Sequence, residues 1–456
     1  MSHRTDWKGA AAVALSLAIL GLAACGSSGG AISHLSNRAF VSDDFDGTLH
    51  IEDAAHDVES GFTIPTGSQP GAMVLSPDRT ITLVFDAGDN SLAVVSNHLE
   101  SVLGRITLPN LSTGYASLSG NTVGFAAVPN CPQGSCGGFS NVVEVLDIYT
   151  NFDITGTVNV ALDTTTMLYV PLNVATTLLK SPTDSKLLLF GGPADHQDTF
   201  TVIDTGLAQT TPATAATLMA GAAFFDKPVS GVFSTDGTKA YILNCGPECG
   251  GTTASVTVVD LTTTPPTPGV PIPVAGATVG LLNGSTLYVA GSPPGANCTG
   301  STPPITAASC GRLQTIDTGA LTASAPVVIS DGYHNLMELA SNNQLFIGAG
   351  PNCTAGCLTI FHTSNNQAAV DGTTGNGLCP ATAACPSKVT GIAPISGRSV
   401  VYVIEDVAAG SLDCASQSQP CPGKLRIYDT TATTPTLTPT QIDVVGKAVD
   451  VKYVDQ

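Results

Sequence analysis

The chain of 456 residues carries 16 Lys and Arg against 35 Asp and Glu, a formal net charge of −19, and charged residues make up only 11% of it. Such a surface repels nucleic acid and anionic lipid headgroups, so neither is an expected partner. With 48 Gly, 30 Pro, 13 Cys and aromatic residues at 5%, it has the composition of a turn-rich globular protein.

In chain order, the first element is a targeting segment. Residues 1–8 are polar and carry Arg4, Asp6 and Lys8, and residues 9–22 are uncharged and apolar. That run has the length of a signal-peptide apolar region and is short for a bilayer span. It ends in Leu22-Ala23-Ala24-Cys25, followed by the flexible tether Gly26-Ser27-Ser28-Gly29-Gly30. Small residues before a cysteine in this setting resemble the lipobox of bacterial lipoproteins. The resemblance implies cleavage after Ala24, acylation of Cys25 and a membrane anchor, which more than one acyl chain makes stable. Inner-membrane lipoproteins often carry Asp next; Gly26 in its place implies the outer membrane, on its periplasmic or surface side. No later run is long and apolar enough to span a bilayer.

The rest of the chain is longer than one compact core usually holds, so a repeat or several domains is expected. A repeat is present: a short apolar strand, a turn, and a second strand ending near Asp. Eight such hairpins pair residues 40–41 with 49–51, 81–85 with 92–95, 123–128 with 142–146, 187–190 with 200–203, 240–243 with 256–259, 286–289 with 313–316, 344–347 with 358–361, and 400–403 with 425–428. Their starts lie about 40 to 65 residues apart, near the blade lengths of propellers. Candidate flanking strands, such as 72–75 and 231–233 before a hairpin and 102–108 after one, complete four-stranded blades. Pro and Gly interrupt most helical windows, and Thr, Val and Ile suit strands. The expected fold is all-β: a propeller of four-stranded blades, eight first and seven next, closed by N- and C-terminal strands. For closure, 441–445 and 448–454 are expected to join the first hairpin. Two β-sandwiches in tandem fit the regular hairpins less well. The domain reading is a signal peptide at 1–24, lipidated cysteine and tether at 25–36, and a single propeller at 37–456.

Setting Cys25 aside, the cysteines form six close pairs: Cys131/Cys136, Cys245/Cys249, Cys298/Cys310, Cys353/Cys357, Cys379/Cys385 and Cys414/Cys421. Neighbouring pairs in an exported chain read as disulfides. None has the C-x2-C spacing of zinc knuckles, redox sites or haem attachment. Five pairs fall inside a hairpin connection; Cys379/Cys385 lies between the seventh and eighth hairpins. Alternating strand direction puts the five hairpin connections on one face of a propeller.

Ser234-Thr235-Asp236-Gly237-Thr238-Lys239-Ala240-Tyr241-Ile242-Leu243-Asn244, with Val256-Thr257-Val258-Val259-Asp260, resembles the YVTN-type β-propeller repeat. Partial copies are Ser76-Pro77-Asp78-Arg79, Ser181-Pro182 with Thr201-Val202-Ile203-Asp204, and Leu287-Tyr288-Val289 with Thr315-Ile316-Asp317. The Asp residues of these motifs are read as turn formers.

The chain carries few chemical motifs. H-E-x-x-H, P-loop and dinucleotide motifs are absent. The only Trp, Trp7, leaves with the signal, which weighs against polysaccharide or quinone stacking. The densest polar cluster is Asp43, Asp44, Asp46, His50, Glu52, Asp53, His56 and Asp57. His50 and Glu52 share a strand face and make half a metal site at most, so a solvated acidic hairpin is the expectation. Asp86, Asp89 and Asn90, and Asp195, His196 and Asp198, lack calcium-loop spacing and read as turns. No metal site, cofactor or catalytic residue is assigned. The functional reading is a lipid-anchored binding or scaffold propeller that presents disulfide-stapled loops to a protein partner. The alternative is a lactonase-like hydrolase, which needs histidines and acids converging on the central channel.

Overall fold

The computed structural model describes residues 32–455 except 133, 161–176, 192–197, 300–308, 351–352, 354–356, 371–387, 407–422, 437–439 and 445. Residues Ser33–Gln456 form one compact unit. Eight separate antiparallel sheets make up this unit, six of four strands and two in which the outer position is split between two short strands; in all but the first blade the strands run in sequence order from the centre outwards. It is an eight-bladed β-propeller.

The reason lies in the two middle strands of each blade, which are covered on both faces by neighbouring blades. In blade 2, Ile81–Asp86 and Ser91–Ser96 are buried at every position, as are Gln344–Ala349 and Leu358–His362 in blade 7. Such strands read as continuous apolar runs, which is how strands buried on both faces look in a sequence. All eight sequence hairpins are these middle pairs. Outer strands such as Ser101–Thr107 alternate exposed and covered positions because one side faces solvent. In blades 5 and 6 the outer edge is broken into Thr267–Pro268 with Ile272–Pro273, and Thr322–Ala323 with Val327–Ile329. Proline donates no ladder bond, so in blade 5 it belongs at such an edge.

Blade 1 closes the ring. Its innermost strand is C-terminal Ala448–Tyr453, paired antiparallel with Arg38–Asp43, followed outwards by Thr48–Asp53 and Val58–Pro65. Each innermost strand contacts the next, and the last, Lys388–Pro394, contacts Ala448–Tyr453. Closure thus leaves no inner edge. Contrary to the expectation for residues 441–445, the first hairpin takes a single terminal strand. Thr440–Val444 does not join the first hairpin; it pairs with Gly423–Asp429 as the outer strand of blade 8. Ile442 and Val444 pack in the apolar cluster shared by blades 8 and 1, and the free edge of Arg38–Asp43 is already taken by Ala448–Tyr453.

The repeat motif builds the turn between first and second strands. Ser234 Oγ donates to Asp236 Oδ1 and accepts from Lys239 N–H, while Asp236 Oδ1 also accepts from Thr238 N–H. Gly237, at φ +69°, completes a turn that an L side chain would strain. Ser76 and Asp78 repeat the same bonds. Burial opposes ionisation at Asp78, but the Asn121 amide together with these donors holds Asp78 down at about 2, and the donors alone do so at Asp236. Asp147, Asp260, Asp317 and Asp429, at the ends of third strands, accept from backbone N–H groups two residues on. Among the described residues a single α-helix, Thr205–Thr210, occurs, capped by Asp204 accepting from Leu207 N–H. No described helix is long and apolar enough to cross a membrane.

Candidate functional site: the stapled-loop face

Because strands alternate in direction, connections from second to third strands lie on the same face as the links from one blade to the next. Cys131–Cys136, Cys245–Cys249, Cys298–Cys310 and Cys353–Cys357 are disulfides in the second-to-third connections of blades 3, 5, 6 and 7. Cys25, Cys379, Cys385, Cys414 and Cys421 lie outside the described residues.

The stapled connections are also joined to one another. Glu248, inside the Cys245–Cys249 loop, accepts the Ser292 N–H of blade 6 at 2.6 Å. Ser292 Oγ donates to Gly332 O at 2.6 Å, and Gly350 N–H of blade 7 donates to Tyr333 O at 2.8 Å. The Tyr333 ring packs on Cys245 and Cys249. Burial pushes the Glu248 carboxyl up to about 7 and, with Glu248 nearby, raises the Tyr333 hydroxyl. Three loops therefore form one hydrogen-bonded network. Exposed Phe45, Phe139 and Phe224 lie on this face, in connections of blades 1 and 3 and the link from blade 4 to 5.

Between blades 1 and 2 the same face opens into a cleft of about 730 Å3, lined by Asp44, Phe45, Asp46, Gln69, Asp89 and Arg105 among others. Asp86 lies beside it, fully buried, with Oδ2 2.9 Å from the Arg105 guanidinium. Burial raises Asp86 to about 7 against the pull of Arg105.

On the blade 1 side of the cleft, the acidic hairpin departs from the sequence expectation. Half of it is not solvated: Asp43 and Glu52 are 0% exposed, His50 3% and Asp53 8%, whereas Asp46 and His56 remain exposed. The physical reason is closure by Ala448–Tyr453, which makes Arg38–Asp43 and Thr48–Asp53 interior strands. The cluster also divides. Asp57 takes Arg398 in two bonds, 2.6 and 2.8 Å, and the Tyr402 hydroxyl at 2.7 Å, tying blade 8 to blade 1 at the opposite face. Asp53 and His56 sit beside it, 2.7 Å apart. Glu52 is midway, with both oxygens buried and unpartnered, and burial raises it to about 8, followed by the charge of Glu59.

At the loop face remain Asp43, Asp46 and His50. The register shifts between Ser42 and Asp43, Asp43 is fully buried, and Gly446 packs so closely that a Cβ there would sit 2.2 Å from Asp43 Oδ2. Asp43 Oδ1 accepts from Phe45 N–H at 2.8 Å, and Asp46 Oδ1 from the Thr48 hydroxyl at 2.7 Å. Each carboxylate thus uses one oxygen to shape the loop and leaves the other facing His50 Nε2, at 3.7 Å for Asp43 and 3.4 Å for Asp46. His50 Nδ1 is 3.1 Å from Glu59 Oε1. Glu52, the partner suggested by strand spacing, is not in this group. Glu59 reaches His50 because the register shifts between Ile51 and Glu52, which no spacing in the sequence announces.

The other sequence-derived histidines do not join it. His56 and His98 lie in third-to-fourth turns of blades 1 and 2, and His362 ends the third strand of blade 7, all at the opposite face. His334 begins the first strand of blade 7, buried between the Ser292 and Ser330 hydroxyls, and burial holds it down at about 3. Asp195 and His196 lie outside the described residues. Asp198 receives the Lys227 N–H at 3.4 Å. Asp89 and Asn90 form the blade 2 turn, with Asn90 at positive φ.

No family model matches the chain, and no curated protein matches it in sequence. Likeness to solved structures is broad in coverage and low in identity. The dihydro-heme d1 dehydrogenase NirN, solved in complex with DHE, superposes with a TM-score of 0.58 at 13% identity, over 95% of this chain and 78% of its own. Apo AztD from Citrobacter koseri superposes with a TM-score of 0.52 at 12% identity, over 91% of this chain and 97% of its own. At such identities the likeness is one of fold, and the fold is the β-propeller.

Proposed function

We propose that this chain is an exported, lipid-anchored binding propeller of the outer membrane, held through Cys25, that offers its stapled-loop face to a protein partner. The observation that carries the reading is the concentration of disulfides on one face, where Glu248, Ser292 and Gly332 join adjacent connections. Loops held on a rigid scaffold are where binding functions concentrate, and ordering them in advance lowers the entropy cost of association. The repeat is read as YVTN-type on the residues quoted above. A hydrolase in the central channel has less support, because His50, His56, His98, His334 and His362 are spread over blades 1, 2 and 7 and both faces.

The anchor is tested by fractionation. Cys25→Ser should move the protein from the membrane to the soluble extracytoplasmic fraction without changing its thermal unfolding. Unchanged membrane retention would overturn the anchor.

A further inference from the structure

We propose that Asp43, Asp46 and His50 bind one first-row divalent transition cation, of which Zn2+ is the type, with Glu59 orienting the imidazole. His50 Nε2 and Asp43 Oδ2 are buried, face one another and have no hydrogen-bond partner. Buried polar groups are otherwise almost always satisfied.

Glu59 decides what kind of partner is absent. Its carboxylate, 3.1 Å from Nδ1, holds the imidazole proton on that nitrogen. The Nε2 lone pair then points at carboxylate oxygens, acceptor against acceptor, unless a positive centre lies between them. A second proton on Nε2 would draw one oxygen in to about 2.7–2.9 Å, the length of a charge-assisted bond. The observed separations of 3.4 and 3.7 Å are longer than that. They match the ligand-to-ligand spacing of about 3.4 Å that metal bonds of about 2.1 Å produce at tetrahedral angles. All three donor atoms lie within 4.8 Å of one another.

The donor set narrows the ion. One imidazole nitrogen with two carboxylate oxygens suits Zn2+ and its neighbours, whereas Mg2+ and Ca2+ prefer all-oxygen shells. A carboxylate behind the second ring nitrogen is the usual support of a metal-bound histidine. Lys447 Nζ, 3.0 Å from Asp44 Oδ2, occupies that neighbouring acid, so Asp44 is not a ligand. Asp46 is a third exposed and lines the cleft, which supplies the entry path and leaves a fourth position open towards solvent.

The test is calorimetric titration of Zn2+ into the untagged, unreduced full chain, with thermal unfolding alongside. One equivalent should bind and raise the unfolding temperature. His50→Gln should weaken binding at least tenfold, and so should Asp46→Asn, a change in a partly exposed loop that leaves the core intact. Glu59→Gln should weaken it about 10- to 100-fold while one equivalent still binds. His56→Ala, at the opposite face, should leave it unchanged. Absence of Zn2+ binding, affinity untouched in both Asp46→Asn and His50→Gln, or equal affinity for Mg2+ or Ca2+ would each overturn the proposal.

Discussion

At the scale of single residues, the same residue type is put to opposite uses. Asp78 and Asp236 are turn formers whose charge is stabilised by surrounding donors, while Glu248 is a buried carboxyl held up at about 7. Glu248 gives the protein a pH dependence of definite sign. The unfolded chain loses this proton near 4.5, whereas the folded protein keeps it to about 7. The contribution of Glu248 to stability therefore falls as pH rises from about 4.5 through about 7. Glu248→Gln keeps the acceptor for the Ser292 N–H and removes that slope. Urea unfolding should find the variant equal to wild type at pH 4 and more stable at pH 8, by on the order of 2 kcal/mol. A variant less stable than wild type at pH 8 alone would contradict this sign and show that the charged carboxylate is the better acceptor for the Ser292 N–H. The turn role of the Asp residues was legible because Asp-Gly and Ser-x-Asp act locally. Glu248 and Glu59 were not legible, since their partners come from another blade or across a register shift.

At the scale of elements, middle strands announce themselves and outer strands do not. The apolar run at Ile81–Asp86 exists because both of its faces are covered, whereas Val58–Pro65 mixes exposed and covered positions and carries no continuous apolar run. The disulfides belong to this scale. They cross-link the second-to-third connections of blades 3, 5, 6 and 7. Replacing both Cys298 and Cys310 by Ser should cost about 3 kcal/mol, and the shorter Cys245/Cys249 loop about 2, by the entropy of the closed loop. Denaturant midpoints of the two double variants check the order. Equal loss, or none, would mean that hydrogen bonds such as Glu248 to Ser292 already fix these loops.

At the scale of the whole molecule, eight hairpins in the sequence corresponded to eight blades, but closure was only half legible. That terminal strands meet follows from the need to cover an edge. Which strand meets which depends on the packing of Ile442 and Val444 against blade 8, which is a tertiary matter. The final strand holds more than its own ladder: Asp450 accepts the Met73 N–H of blade 2, and Asp455 pairs with Arg38. Deleting residues 446–456 should leave the edge of Arg38–Asp43 unpaired and yield aggregated or unfolded protein by size exclusion and circular dichroism. A monodisperse, cooperatively unfolding product would contradict velcro-like closure. The central claim is that one face of this ring is its working surface. It is tested most directly by photo-crosslinking side chains in intact envelopes, placed at Phe139 and Phe224 on the stapled face and at Leu99 and Leu321 on the other. Discrete protein adducts from the first two positions and none from the second two are predicted; adducts from Leu99 and Leu321, with Phe139 and Phe224 silent, would contradict it.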